Sequence, residues 1–264
     1  MRHRQDLARS LRTGPPRPSP AQGILAVRSI VLANQKGGVG KTTTAIHLAH
    51  GFALAGRRVV LVDLDPQGNA TVALQGMELE GPSEGVFELL SPIAERLWLL
   101  PSPGAAAVLD RRATVDIQKL RSLVAEVEPH LDWLIIDCPP RMDEWGWAGV
   151  QLCDQVVVPV QAEFFAMHGL SQMLASLESA AAEFPGKAQL RGVLPAMVDL
   201  GEPIALEILA DLRRNLGPKV LDSIVFRDAS LVEAASHGKS VFVHSPWSKS
   251  ALCYAELAKE LIDG

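Results

Sequence analysis

The sequence predicts an α/β fold in which a mostly parallel central sheet is flanked by helices on both faces, giving three layers. Three observations predict it. From Ser29 onward, short apolar runs alternate with stretches of helical periodicity, the pattern of stacked β-α units whose strands are covered on both sides. One of these runs leads straight into a glycine-rich loop and then an apolar-periodic helix. The chain has 264 residues, 48% of them hydrophobic, which suffices for one full core, and it shows no internal repeat.

Taken in order, the opening segment to about Gly23, centred on Gly14-Pro15-Pro16-Arg17-Pro18-Ser19-Pro20, holds too few apolar residues and too many prolines to pack. Residues 1–27 are therefore expected to form a disordered, basic, Pro-rich tail, and residues 28–264 a single domain. The arginines of the tail read first as a solvated leader or an overlong start, with an arm that attracts DNA or lipid as the alternative. Strands are expected over 29–34, 58–63, 97–100, 131–136, 155–160, 190–195 and 220–225. Between them, helices are expected near 41–55, 83–90, 115–128, 145–152, 167–184, 204–216, 230–236 and 248–262, several opened or closed by Ser, Gly or Pro. Met167, Leu170, Met173, Leu174, Leu177 and Phe184 recur at helical spacing and read as a core-facing stripe.

Composition narrows the function. Three cysteines at wide spacing, Cys138, Cys153 and Cys253, suit neither a disulfide framework nor a zinc site and favour a reducing, cytoplasmic setting. No apolar run approaches the roughly 20 residues that span a bilayer, and no secretory signal is recognisable. Residues 1–30 carry six arginines and one aspartate, which leaves 19 basic against 29 acidic residues in the rest of the chain. An acidic body argues against tight autonomous DNA binding, because that affinity comes mainly from Lys and Arg displacing counterions.

The strand Ile30-Val31-Leu32-Ala33-Asn34 runs into Gln35-Lys36-Gly37-Gly38-Val39-Gly40-Lys41-Thr42-Thr43-Thr44. Strand, glycine loop and helix in this order are the setting of a phosphate loop, and so of a P-loop NTPase-like fold. Glycines let backbone N–H groups curl around phosphate oxygens, and the helix start adds partial positive charge. Lys41 is expected on the β- and γ-phosphates, the Thr42 hydroxyl on Mg²⁺ and Thr43 near the α-phosphate. Further along, Val59-Val60-Leu61-Val62-Asp63-Leu64-Asp65-Pro66-Gln67-Gly68-Asn69 and Trp133-Leu134-Ile135-Ile136-Asp137 each end an apolar run in carboxylates, where open parallel sheets bind ligands. Asp137 is expected to hold Mg²⁺ through water.

Gln35 stands where an ordinary phosphate loop has its first glycine, and Lys36 is an additional lysine. In this, Lys-Gly-Gly-Val-Gly-Lys-Thr-Thr-Thr resembles the deviant phosphate loop of the ParA/MinD superfamily. Asp63-Leu64-Asp65-Pro66-Gln67-Gly68-Asn69 resembles the ParA signature, and so do Pro159-Val160-Gln161-Ala162-Glu163-Phe164-Phe165 and the run from Phe226 and Arg227 to Ser236-His237-Gly238-Lys239. The resemblance covers about residues 29–262. It implies an ATPase using ATP and Mg²⁺ that forms an ATP-dependent homodimer, binds nonspecific DNA in that state, and is released when a ParB-like partner stimulates slow hydrolysis.

By the same resemblance, Lys36, Gly37, Gly38, Val39, Gly40, Lys41, Thr42 and Thr43 hold the nucleotide, with Lys36 reaching across the dimer to the partner's nucleotide. Asp65 orients or activates the attacking water, while Thr42, Asp63 and Asp137 serve the metal region. A cation delivered by a second subunit would stabilise charge that develops in phosphoryl transfer. For DNA, Arg227 sits in the matching motif, and Arg213, Arg214 and Lys219 would extend a patch, although the first two also fall where a helix macrodipole favours cations.

Departures from the pattern leave alternatives open. Met197-Val198-Asp199-Leu200-Gly201 lacks the arginine that family members often carry there, so DNA affinity is expected to be weak, absent or relocated. Trp145 and Trp147 replace a Leu-rich stretch and either fill core or form a partner surface. His168 replaces a glutamate and is read as a helix-start histidine, and Cys138 as a small buried apolar group. The last helix ends acidic, unlike a membrane-targeting helix. With only Tyr254, no tyrosine-rich kinase tail exists, and no guanine motif is present. Two uses of one ATPase remain, DNA segregation or the positioning of another cargo such as an organelle, enzyme cluster or flagellar pole.

Overall fold

A computed structural model describes residues 27–79, 87–102, 117–140, 144–163, 166–184 and 187–264. The expected tail (save Val27), residues 83–86 of the expected helix over 83–90, and the stretch 141–143 lie outside the described residues, and the described half of that helix, 87–90, forms turns and no α-helix. The strands are β1 (Arg28–Leu32), β2 (Val59–Asp63), β3 (Ser91–Ala94), β4 (Leu97–Leu100), β5 (Trp133–Asp137), β6 (Gln155–Gln161) and β7 (Gln189–Ala196). The helices are α1 (Lys41–Leu54), α2 (Asn69–Leu74), α3 (Ile117–Val127), α4 (Glu144–Leu152), α5 (Ala166–Glu183), α6 (Pro203–Leu216), α7 (Ala229–Ser236), α8 (Val241–His244) and α9 (Lys249–Asp263).

The strands form one sheet in the order β3-β4-β2-β5-β1-β6-β7, parallel except for the antiparallel β3-β4 edge. Period-two alternation along each strand sends neighbouring side chains into two separate cores. Val31, Val60, Val62, Leu134, Ile136, Val156 and Val158 meet α3, α4, α5 and α6 on one face. Ile30, Leu32, Val59, Leu61, Trp133, Ile135 and Val157 meet α1, α2, α7, α8 and α9 on the other. Leu170, Met173 and Leu177 of α5 are buried in the first core, as their spacing predicts. Trp145 and Trp147 pack, partly buried, against the same core, so they fill space there.

Two local expectations fail. Residues 220–225 form no strand: they meet β7 through an isolated bridge, Val193 to Val220, and through two main-chain bonds, Leu221 N to Val193 O and Val225 N to Pro195 O, both at 2.9 Å. Glu260 of α9 interrupts the ladder: its carboxylate accepts the N–H groups of Asp222 and Ser223, both at 2.9 Å, and Ser223, midway between the donors Leu221 and Val225, is thereby withheld from β7. In return β3 is present where no strand is expected. It carries Pro92, which lacks a donor and is tolerated because β3 is an edge strand. The short helices α2 and α8 were likewise not anticipated.

The topology places the site. β5 lies between β1 and β2, so the chain leaves β1 towards β2 over one face, by α1, and leaves β5 towards β6 over the other, by α4. That divergence opens a crevice at the carboxyl ends of the strands. Register there brings Leu32 and Asp63 each beside Asp137.

Candidate nucleotide site

A cavity of about 550 Å³ opens over this crevice. Its floor is the phosphate loop, with Gly37, Gly38, Gly40, Lys41, Thr42 and Thr43, and its walls include Asp65, Asn69, Cys138, Pro140, Met197, Leu231 and Lys239. Asn34 fixes the loop's departure from β1: its side-chain amide donates to Pro159 O at 2.8 Å, and its Oδ1 accepts from Lys36 N at 3.0 Å. Gly38 and Gly40 adopt left-handed φ of 74° and 87°, which a side chain would strain. Gly40 is also the N-cap of α1, where no side chain caps the helix and no acid sits in its first turn. The first N–H groups of α1 thus face the cavity uncompensated, a ready anion site.

Lys41 is buried, and its Nζ donates to Lys36 O at 3.0 Å. Burial pushes its pKa down, and Asp137 foremost opposes that shift. Thr42 and Thr43 are half-buried at the rim, while Val39 is fully packed and shapes the loop from behind. Lys36 behaves differently from Lys41. Its side chain is 46% exposed and pairs with Glu163 at 2.6 Å on the surface, outside the cavity that Lys41 lines.

The three aspartates divide into distinct environments. Asp63 accepts from Asp65 N at 3.2 Å, from Thr71 N at 2.8 Å and from Thr71 Oγ1 at 2.7 Å. Burial nonetheless raises its pKa to about 6. Asp65 lines the cavity with one carboxylate oxygen accepting Gln67 N at 3.0 Å. Asp137 is wholly buried, and neither carboxylate oxygen has a hydrogen-bond partner among the described residues, although Thr42 lies close enough to act on it. Burial, then the charge of Asp63, pushes its pKa well up.

An unpartnered carboxylate in a buried site calls for a cation or a water held by one. The residues fit Mg²⁺ bound in its usual way, by few protein oxygens with phosphates and water completing the shell: Thr42 as the hydroxyl ligand and Asp137 through water. Asp63 already accepts three hydrogen bonds from Asp65 and Thr71, and its charge reaches Asp137. Among the described residues no cluster of three His, Cys, Asp or Glu could hold a metal unaided.

Comparison with known proteins agrees with this geometry. A family model described as an AAA domain matches residues 27–190. The chain is 40% identical over 248 residues to the chromosome-partitioning ATPase Soj of Thermus thermophilus, covering 89% of this chain and 96% of that one. The chain belongs to the ParA family of ATPases. Chromosome partitioning protein ParA of Caulobacter vibrioides is 31% identical over 252 residues, covering 89% and 94% of the two chains. Among solved structures, cobyrinic acid a,c-diamide synthase from Mycobacterium smegmatis, with bound ADP and magnesium, is 30% identical with a TM-score of 0.68, covering 89% of this chain and 94% of that one. The cell division ATPase MinD of Pyrococcus furiosus shares the fold, with a TM-score of 0.72 at 18% identity over 89% and 98% of the two chains.

The DNA candidates of this ParA-family chain are not brought together. Arg213 and Arg214 end α6 and Lys219 follows, at the end of the sheet where β7 begins. Arg227 lies at the other end, its N–H bonded to Val198 O beyond the end of β7. Arg214 pairs with Asp211 at 2.6 Å, Lys219 with Glu178 at 3.7 Å, and Arg213 donates to Asp222 O at 3.4 Å. Arg227 is exposed. The His168 side chain lies outside what is described, and Cys138 is buried beside the cavity, donating to Gly146 O at 3.6 Å. No described helix is long and apolar enough to cross a membrane.

Sequence reading missed Thr71, Ser102 and His47. His47 Nδ1 donates to Thr43 O at 2.6 Å, its Nε2 accepts from Val241 N at 3.0 Å, and its ring stacks on Tyr254 at 4.8 Å. It thereby bolts the phosphate-loop helix to α8 and α9. No local signal announces such a role.

Proposed function

We propose that this ParA-family ATPase is a partitioning switch: it binds ATP with Mg²⁺ in the crevice, dimerises around it, and in that state binds nonspecific DNA until a ParB-like partner stimulates hydrolysis. The observation that carries the reading is the combination of Lys41, the uncapped start of α1 and the unpartnered Asp137 in one crevice. Together they supply charge, oriented N–H donors and a cation site for a triphosphate. The bound Mg²⁺ neutralises phosphate charge; the protein does the rest. Lys41 follows the charge on the terminal phosphate, and the free carboxylate oxygen of Asp65 orients the attacking water.

Dimerisation rests on Lys36. An exposed lysine–glutamate pair contributes little to stability, so Lys36 can leave Glu163 for a partner's nucleotide at small cost. Val72, on the cavity wall, and Val232, next to the wall residue Leu231, are 52% and 73% exposed, as apolar groups awaiting a second copy would be. In this reading residues 28–264 act as the switch.

A second reading has its own support. The basic candidates Arg213, Arg214 and Lys219 lie at or just after the end of α6, apart from Arg227 beyond the other end of β7, so they form no single patch with it, which favours positioning of a cargo other than DNA. Binding to nonspecific duplex DNA with ATP and with ADP, at two salt concentrations and with Asp65→Ala to hold the ATP state, separates the two. ATP-dependent, salt-sensitive binding supports partitioning, and no binding by a confirmed dimer supports the cargo reading.

A further inference from the structure

Behind the cavity lies a sealed hydroxyl–carboxylate network, two of whose members, Thr71 and Ser102, belong to none of the sequence motifs. Ser102, just after β4, is fully buried, as are Thr71 of α2, Asp63 and Asp65 to within a few per cent. Ser102 Oγ donates to Asp65 O at 2.6 Å, and Ser102 N donates to Thr71 Oγ1 at 3.0 Å. Thr71 Oγ1 in turn donates to Asp63 Oδ2 at 2.7 Å, and Asp63 Oδ1 accepts Asp65 N at 3.2 Å. The loop closes on itself: the main-chain N–H and carbonyl of Asp65 are held by the side chains of Asp63 and Ser102, and Thr71 Oγ1 links Asp63 to the main-chain N–H of Ser102.

We propose that Ser102 and Thr71 are positioning residues for hydrolysis, locking the main chain of Asp65 so that its free carboxylate oxygen faces the cavity. The inference rests on the reading of Asp65 as the residue that orients water. Each hydroxyl spends its one donor inside the network: Thr71 Oγ1 donates to Asp63 and accepts from Ser102 N, and Ser102 Oγ donates to Asp65 O. Satisfied buried networks of this kind specify one geometry, whereas a half-satisfied one does not. Ser102 reaches Asp65 from a different strand, so the orientation of the catalytic turn is set by β4 as well as by β2. Gly68 N also donates to Asp65 O, at 2.8 Å, which closes the turn locally but leaves its direction free.

The test measures basal ATP hydrolysis and ATP affinity of the full-length chain for Ser102→Ala, Ser102→Thr, Thr71→Val, Thr71→Ser and Asp65→Asn, with thermal melts as the folding check. The expected result is a kcat lower by roughly 10- to 100-fold for Ser102→Ala and Thr71→Val, the effect of a misplaced group away from the bond that breaks. ATP affinity stays within about threefold, and Thr71→Ser and Ser102→Thr, which keep the hydroxyl, recover most of the rate. If Ser102→Ala does not fold, Ser102→Cys, of similar volume with a weaker donor, carries the same test. Folded Ser102 and Thr71 variants with wild-type kcat overturn the proposal. So does a loss of affinity that keeps step with the loss of rate, which marks general loosening of the site. Wild-type turnover by Asp65→Asn has a separate meaning: the assignment of Asp65 itself fails, and the proposal falls with it.

Discussion

Lys41 and Asp137 are held out of water within reach of each other's charge, one donating to a main-chain carbonyl and the other with no partner among the described residues, and burial presses each towards its neutral form. An arrangement so costly in the empty site is stabilised by a ligand carrying negative phosphate and a cation. Removal of the lysine charge in Lys41→Ala is expected to weaken ATP binding by at least about 100-fold, or on the order of 3 kcal/mol, as read by calorimetric titration. Unchanged affinity would place the nucleotide elsewhere. His47 gives a pH signature of a different kind. Burial lowers its pKa from 6.5 to about 4, so the unfolded chain binds the proton more readily than the folded one. Its contribution to stability is complete above about pH 6.5 and is lost as pH falls through that value towards 4, where it amounts to on the order of 3 kcal/mol. Urea unfolding of wild type and His47→Gln across that window should show the steeper acid decline in the wild type only.

At the scale of elements, one contact ties the segment after Asp65 to the C-terminal helices. Gly76 N donates to Gly238 O at 3.0 Å, and a Cβ on Gly238 would sit 2.6 Å from Gly76 N. Gly238 also has a φ of 64°. Gly238→Ala therefore meets backbone on one side and strain on the other, with an expected loss of about 2 kcal/mol or more in urea unfolding. The parts of this fold that were legible in the sequence are those whose information is local. β1, β2, β5 and β6 are buried on both faces and read as apolar runs; the phosphate loop is contiguous, and Asp63, Asp65 and Asp137 announce themselves at strand ends. What stayed hidden depends on partners distant in the chain. The expected strand over 220–225 is undone by Glu260, 37 and 38 residues away, and β3 is obscured by Pro92. Thr71 and Ser102 meet across 31 residues through a single hydroxyl, and no spacing rule marks either one.

For the whole molecule, the division of charge and the groups left exposed point the same way. The body outside residues 1–30 is acidic, so one copy has little to hold DNA with, and two copies side by side would double whatever Arg227 and its surroundings supply. Val72 on the cavity wall, Val232 and the surface pair of Lys36 with Glu163 are exposed, as groups that a second copy would cover are expected to be. Lys36→Ala is accordingly expected to leave ATP affinity of the single chain within about threefold while abolishing association and most turnover, since its side chain lies outside its own cavity. The central claim is that ATP converts one chain into two, and sedimentation of Asp65→Ala without nucleotide, with ADP and with ATP tests it most directly. The account predicts twice the mass with ATP alone, reverting to the single-chain mass when Lys36→Ala is added; a single-chain mass with ATP bound would contradict it.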